Sequence, residues 1–235
     1  MARNKGYGQY CPIARAAEIL AERWVPLVVR ELCCGSTRFN QLQAGVPRMS
    51  SALLSARLKE LEYAGIVDRR PVTKGRGSEY HITEAGKALF PILESMGVWA
   101  QAWMRDDLVA KENLDPDLLM WDIRRTVSEC KAPVPGRFVT QFQFSGVPVN
   151  RRRYWLLFEQ DDVDLCIKDP GFEPNLYVSS HIKDMVTVWL GHAPLDKALR
   201  DDKITLDGDS ADVKKFRDWF SLSCFAPAAR AAMGS

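Results

Sequence analysis

The segment SSALLSARLKELEYAGIVDRR, residues 50–70, constrains this chain more than any other stretch. At a helical step of about 100° per residue, Leu54, Leu58 and Leu61 share one narrow arc with Ile66 just beyond, so that arc must face a core. The opposite arc carries Ala52, Ser55, Ala56 and Lys59, which are small or polar, with one cation and no acid before Glu62. Side chains this small let a helix come close to a groove, and hydroxyls can donate to phosphates or base edges. Gly65 ends the helix, and the chain passes without a linker into a strand at Ile66–Arg70.

The flanking sequence completes a pattern. Segment 12–22 opens with Pro12 in its first turn and sets Ile13, Ala17 and Leu20 along one face. Residues 26–34 again open with proline, at Pro26, and stop before Gly35, which is expected just past the helix end. Thr37 is the expected N-cap of a short helix bearing Phe39 and Leu42, and Pro47 stops it before Ser50 begins the leucine helix. After the strand, VTKGRGS reads as a tight basic turn in which Gly75 and Gly77 supply positive φ and leave Lys74 and Arg76 at the tip. EYHIT returns as a strand, and residues 83–104 resume helical character with a kink or early break at Pro91. Helix, helix, short helix, leucine helix, basic hairpin and long helix make a mainly α winged helix-turn-helix domain. The leucines seat a recognition helix, and the hairpin is a wing that reaches flanking phosphates.

Charge follows the same division. Residues 1–105 hold 15 Lys and Arg against 9 Asp and Glu, a net +6, whereas residues 106–235 hold 17 against 21, a net −4. Only the first half is therefore expected to meet a polyanion. The six cysteines show no CxxC spacing and none of the three histidines lies near one in sequence, so neither a zinc site nor a disulfide framework is expected. No metal, no cofactor and no membrane segment is expected. The basic N-terminus lacks the apolar core of a secretory signal, and a reducing cytoplasm is the expected setting.

The runs YCPIARAAEILAERW, LVVRELCCG, TRFNQLQAGV, LLSARLKELEYAGIVDRR and EYHITEAGKAL, in that order, resemble the HxlR-type branch of winged-helix bacterial transcription regulators over residues 7–104. Pro26 departs slightly from the expected second helix. The resemblance implies a homodimer built from the first and last helices, reading a palindromic operator in double-stranded DNA. The residues expected at that interface are Arg48, Ser50, Ser51, Ser55 and Lys59, with Arg38 and Arg57 at the margins and Lys74 and Arg76 on the wing. Cys11 precedes Pro12 at the start of the first helix, where free N–H groups and the helix dipole favour negative charge on sulfur. In relatives a cysteine in this position can serve as a redox sensor. Cys33 and Cys34 read as packing.

The second half is expected to be α+β, an antiparallel sheet packed with helices, over residues 117–221 after a linker at 106–116 and before a tail at 222–235. Asp117 is the expected cap of a helix running to about Glu129. FVTQFQFSG, RRRYWLLFEQ, VDLCIKDP and NLYVS read as a meander of about four antiparallel strands, followed by two helices, a strand KITLDGD and a closing helix. The runs DLCIKDP and NLYVSSHIKDMVTVWLGHAPLDKALRDDKITLDGD, with the helix after them, resemble the sterol-carrier-protein-type fold over about residues 117–221. That resemblance implies an apolar cavity holding a small apolar ligand, with Phe142, Trp155, Met185 and Trp189 as lining candidates. The triplet Arg151–Arg153 reads as a solvated turn and His181 as a helix cap; Asp161, Asp162 and Asp164 lack the glycine and glutamate of a calcium loop. No Ser/His/Asp spacing, phosphate loop or HExxH points to catalysis. The resulting expectation is a DNA-binding regulator, with an apolar-ligand carrier or a redox switch at Cys11 as alternatives.

Overall fold

The computed structural model describes residues 6–72, 77–128, 136–159 and 162–231. The chain divides into two compact units, Met1–Met96 and Gly97–Ser235.

In the first unit, α1 (Pro12–Leu20), α2 (Val25–Cys33), α3 (Phe39–Gly45) and α4 (Ser51–Tyr63) precede a hairpin of β1 (Val67–Pro71) and β2 (Ser78–Ile82). Next come α5 (Glu84–Lys87) and α6 (Phe90–Trp103), within which the division between units falls. Pro26 lies in the first turn of α2, where no intrahelical partner awaits its missing N–H, so the helix accepts it. Gly35 follows α2 at φ 88°, the left-handed turn expected there. Thr37 is not the cap of α3. That position is Arg38, and Gln41 Oε1 accepts from the backbone N–H groups of Thr37 (3.1 Å) and Arg38 (3.0 Å). Leu54, Leu58 and Leu61 are buried, with Val28, Val29, Leu32, Leu42 and Ile66, in one core. The residues expected to form a helix from Thr83 divide into α5 and α6, and Pro91 lies in the first turn of α6 rather than inside a continuous helix.

A buried carboxylate joins α2 to α3. Glu31 is 0% exposed, and Arg30 grips its Oε1 through Nε (3.0 Å) and Nη2 (2.7 Å) while also donating to Gly45 O (3.1 Å). A Cβ on Gly45 would come within 2.1 Å of Glu31 Oε2, so the carboxylate occupies the space glycine leaves.

The second unit contains α7 (Arg105–Leu108), α8 (Pro116–Ser128), β3 (Arg137–Ser145), β4 (Arg153–Glu159), β5 (Asp162–Cys166), β6 (Leu176–His181), α9 (Ile182–Trp189), α10 (Leu195–Arg200), β7 (Ile204–Gly208), α11 (Ser210–Trp219) and α12 (Ala226–Ala231). It is α+β as expected, but the strands are not a meander. The sheet order is β5-β4-β3-β6-β7, and β6 lies parallel to β3. Residues 167–175 return the chain past β4 instead of turning it beside β5. Asn175 then docks the new strand on β3, with its N–H donating to Val139 O (2.8 Å) and its Oδ1 accepting from Val139 N–H (2.9 Å).

One face of the sheet packs Phe138, Phe142, Phe144 and Tyr154 against Met120 and Ile123 of α8, Met185 of α9 and Phe216 and Trp219 of α11. Asp115, not Asp117, caps α8, its Oδ1 accepting from the N–H groups of Asp117 (3.1 Å) and Leu118 (3.4 Å). Asp117 instead accepts from the Tyr154 hydroxyl at 2.6 Å. Burial first, and then that hydrogen bond, push the Tyr154 phenol far above its ordinary range.

Residues 222–231 are not a tail. Ser223 N–H donates to Trp189 O (2.9 Å), Ala226 and Ala229 are buried, and a Cβ on Gly97 would meet the Phe225 ring at 2.3 Å. Among the described residues, no helix is long and apolar enough to cross a membrane and no cluster of His, Cys, Asp and Glu could hold a metal.

Candidate nucleic-acid interface

α4 is built to present one face. Ser50 caps it, its Oγ accepting from Leu53 N–H at 3.3 Å, which leaves the hydroxyl proton available to an outside acceptor. The leucines fix its rotation, because turning it would expose Leu54, Leu58 and Leu61 together. Ser51, Ala52, Ala56 and Lys59 are consequently exposed and Ser55 half-buried. Lys59 forms no ion pair among the described residues. Arg48 is exposed just ahead of the Ser50 cap, after Pro47.

The two marginal arginines differ. Arg38 is exposed, yet its Nη2 lies 2.9 Å from Glu79 Oε1 on β2, so it ties the entry of α3 to the wing. Arg57 is a brace. Its side chain is 17% exposed, its Nη2 lies 2.9 Å from Glu22, its Nη1 pairs with Glu60 and its Nε donates to Arg23 O at 3.3 Å. With these donors turned toward the bend between α1 and α2, Arg57 acts on α4 by holding it in place.

The wing strands pair in register from Val67–Ile82 to Pro71–Ser78, and Gly77 has φ 120°. Lys74 and Arg76 lie outside the described residues. The structure adds two cations to those expected at the interface, Arg69 and Arg70, both exposed on β1. Arg70 pairs with Asp68 (3.1 Å), whereas Arg69 donates to Ser78 Oγ (3.0 Å) and forms no ion pair among the described residues. Their signal was present in the VDRR run, where the residues following buried Val67 turn outward.

Cys11 is the N-cap residue of α1 and is half-buried. Burial raises the Cys33 thiol, with Cys34 adding to the effect. In the second unit, Phe142, Met185 and Trp189 belong to the helix-facing core, whereas Trp155 packs with Val139 and Leu157 on the opposite face of the sheet. The cause is strand alternation: Phe142 pairs with Tyr154, which sends the neighbouring Trp155 to the other side. The four expected lining residues therefore do not share a cavity.

A leucine-seated helix with a small, cationic outer face beside a two-stranded wing defines a winged helix-turn-helix DNA-binding domain. The pattern of the HxlR-like helix-turn-helix family matches residues 19–108. This chain is 46% identical over 99 residues to the uncharacterized HTH-type transcriptional regulator YvaP of Bacillus subtilis (strain 168), a match covering 41% of this chain and 91% of that protein. The chain belongs to the HxlR-like helix-turn-helix family of transcription regulators. It is also 35% identical over 106 residues to the HTH-type transcriptional regulator YodB of Bacillus subtilis (strain 168), covering 43% of this chain and 94% of YodB. Of solved structures, quinone-bound YodB from B. subtilis matches 38% of this chain and 96% of its own at 35% identity and a TM-score of 0.34. Palmitated SCP2L2 from Aedes aegypti matches 43% of this chain and 88% of its own at 18% identity and a TM-score of 0.32. At those scores neither structure speaks to how this chain works.

Proposed function

We propose that the chain is a cytoplasmic, dimeric regulator whose paired α4 helices read a palindromic operator in successive major grooves. The observation that carries the reading is the outer face of α4, where Ser51, Ala52, Ala56 and Lys59 stand exposed over a fully buried leucine row. Ser50, Ser51, Ser55 and Lys59 contact bases or adjacent phosphates, Arg48 the phosphates at the helix entry, and Lys74, Arg76 and Arg69 the backbone beside the wing. A dimer is supported by apolar residues left in solvent. Ile92, Met96, Trp99 and Trp103 recur at i, i+4, i+7 and i+11 along α6, and Ile13 on α1 is 79% exposed. Footprinting on the intergenic DNA upstream of its own gene tests the reading. Two protected half-sites with centres about one helical turn apart are expected, and protection without two-fold symmetry would overturn it.

A second reading concerns control. YodB, to which this chain is 35% identical in sequence, has been solved with a quinone bound. Cys11 at the start of α1 is the residue through which this chain would respond in kind. A quinone should release operator DNA from the wild type and leave Cys11→Ser bound; equal release from both would end the idea.

Modulation by a small apolar ligand in the second unit is a further part of the proposal, supported by the aromatic density around Phe216, Trp219 and Phe220. Within that density Trp219 Nε1 is buried without a hydrogen-bond partner.

A further inference from the structure

Beside the aromatic core, whose Phe144 it reaches, one end of the second unit's sheet forms a cleft of about 540 Å³. It opens where the parallel neighbours β3 and β6 finish together, with Phe144 beside Ser180 and Ser145 beside His181. β6 runs directly into α9, so the first turn of a helix, with its unsatisfied N–H groups, begins at the edge of the cleft. His181 caps that turn, its Nδ1 accepting from Lys183 N–H at 3.2 Å, which puts the proton of the neutral ring on Nε2. The ring lies flush against Gly146, where a Cβ would come within 2.2 Å of Nε2.

The lining mixes apolar surface with polar and charged side chains, some of them unsatisfied. Ser180 Oγ is shut off from solvent yet has no hydrogen-bond partner, an omission that costs stability unless something else supplies the bond. Arg152 lines the cleft and forms no ion pair among the described residues. Lys203 is partly neutralised by Asp184, 3.9 Å away, and Asp202 adds a second negative charge to the wall. With Lys203 held by Asp184, Arg152 is left to meet one negative charge, and the two lining carboxylates disfavour a second on the same ligand. Ser145, Ser179 and Thr205 add hydroxyls suited to a hydroxylated partner.

We propose that this cleft binds a small hydroxylated monocarboxylate, with Arg152 taking the carboxylate and Ser180 a ligand hydroxyl. The site is separate from the buried aromatic residues expected to hold an apolar molecule, and its chemistry is the opposite. Calorimetric titration of the full-length protein with gluconate, glycerate and quinate, with inorganic phosphate and palmitate as comparators, tests it. Saturable binding of at least one hydroxy acid is expected, without displacement by phosphate. Arg152→Gln should weaken that binding about tenfold or more by removing a charge-assisted hydrogen bond. Ser180→Ala should weaken it less and, because it removes an unpaired buried hydroxyl, melt at or above the wild-type temperature, while Arg152→Gln should melt close to wild type. No saturable binding of any of the three acids, displacement by phosphate, or wild-type affinity in Arg152→Gln would overturn the proposal. The titration contains no DNA, so its failure would leave the operator-binding reading standing.

Discussion

Lys59 and Arg57 stand two positions apart on one helix and do different work because of where the helix points them. Lys59 faces outward with no ion pair among the described residues, whereas the Arg57 donors reach back to Glu22, Glu60 and Arg23. Lys59→Ala should therefore change which operator variants are preferred, by about 1–3 kcal/mol at the base pair it reads. Competition binding against base-substituted operators measures this. A loss equal for all sequences would make Lys59 a phosphate contact instead. Glu31 makes a different kind of prediction. Its carboxylate is wholly buried and held by Arg30, which is itself partly in solvent, so Glu31→Ala should cost about 3 kcal/mol in urea unfolding. Gly45→Ala should cost about 1–3 kcal/mol, because its methyl group needs the space the carboxylate fills. A destabilisation of under about 0.5 kcal/mol in both variants would show that the joint between α2 and α3 does not need this pair.

Elements were readable in the sequence wherever a single periodicity decided them. The row Leu54, Leu58 and Leu61 could bury only as a helix, and the hairpin strands were readable as two short extended runs, the second entered at Gly77 with φ 120°. Where a choice between partners had to be made over distance, the sequence was silent. NLYVS reads as a fourth antiparallel strand, but its pattern does not exclude a parallel neighbour of β3, and the main-chain and side-chain bonds of Asn175 to Val139 decide it. Caps moved by a residue or two: Gln41 Oε1, not Thr37, accepts at the start of α3, and Asp115 replaces Asp117 at α8 because either carboxylate could accept from a helix start. The candidate interface was readable as a face but not residue by residue, since nothing local shows that Arg57 turns back on the bend before α2. α12 was hidden because an alanine-rich end carries no amphipathic signal until Trp189 and Gly97 are seen against it. The wing yields its own test. Arg76→Ala should lower the slope of log affinity against log salt by about 0.9, the share of one phosphate, with little change in sequence preference. An unchanged slope would remove the wing tip from the interface.

Over the whole molecule, the buried polar ties along α6 matter as much as its exposed tryptophans. Gln101 is 2% exposed, its Nε2 donating to Leu190 O (3.3 Å) and its Oε1 lying 2.7 Å from His192 Nε2. That geometry is satisfied by a neutral imidazole carrying its proton on Nε2. Burial lowers the His192 pKa, the neighbouring Arg105 cation lowers it further, and Asp106 opposes them only in part. A histidine depressed in the folded chain takes up a proton more readily once unfolded. Its contribution to stability is therefore complete above the ordinary imidazole value of about 6.5 and is lost as pH falls from there through the folded value. His192→Gln has no such titration. Between about pH 7.5 and pH 5 the wild type should lose more stability than His192→Gln, while above that window the two should run parallel. Equal losses for both proteins would mean that acid acts elsewhere in the fold. The comparison belongs at one protein concentration, because in the proposed dimer Trp99 and Trp103, 57% and 76% exposed, would make melting temperature depend on concentration. Trp99→Glu with Trp103→Glu should yield a monomer by light scattering. If that monomer still shows the His192-dependent acid loss, the titration belongs to the second unit itself and not to the dimer.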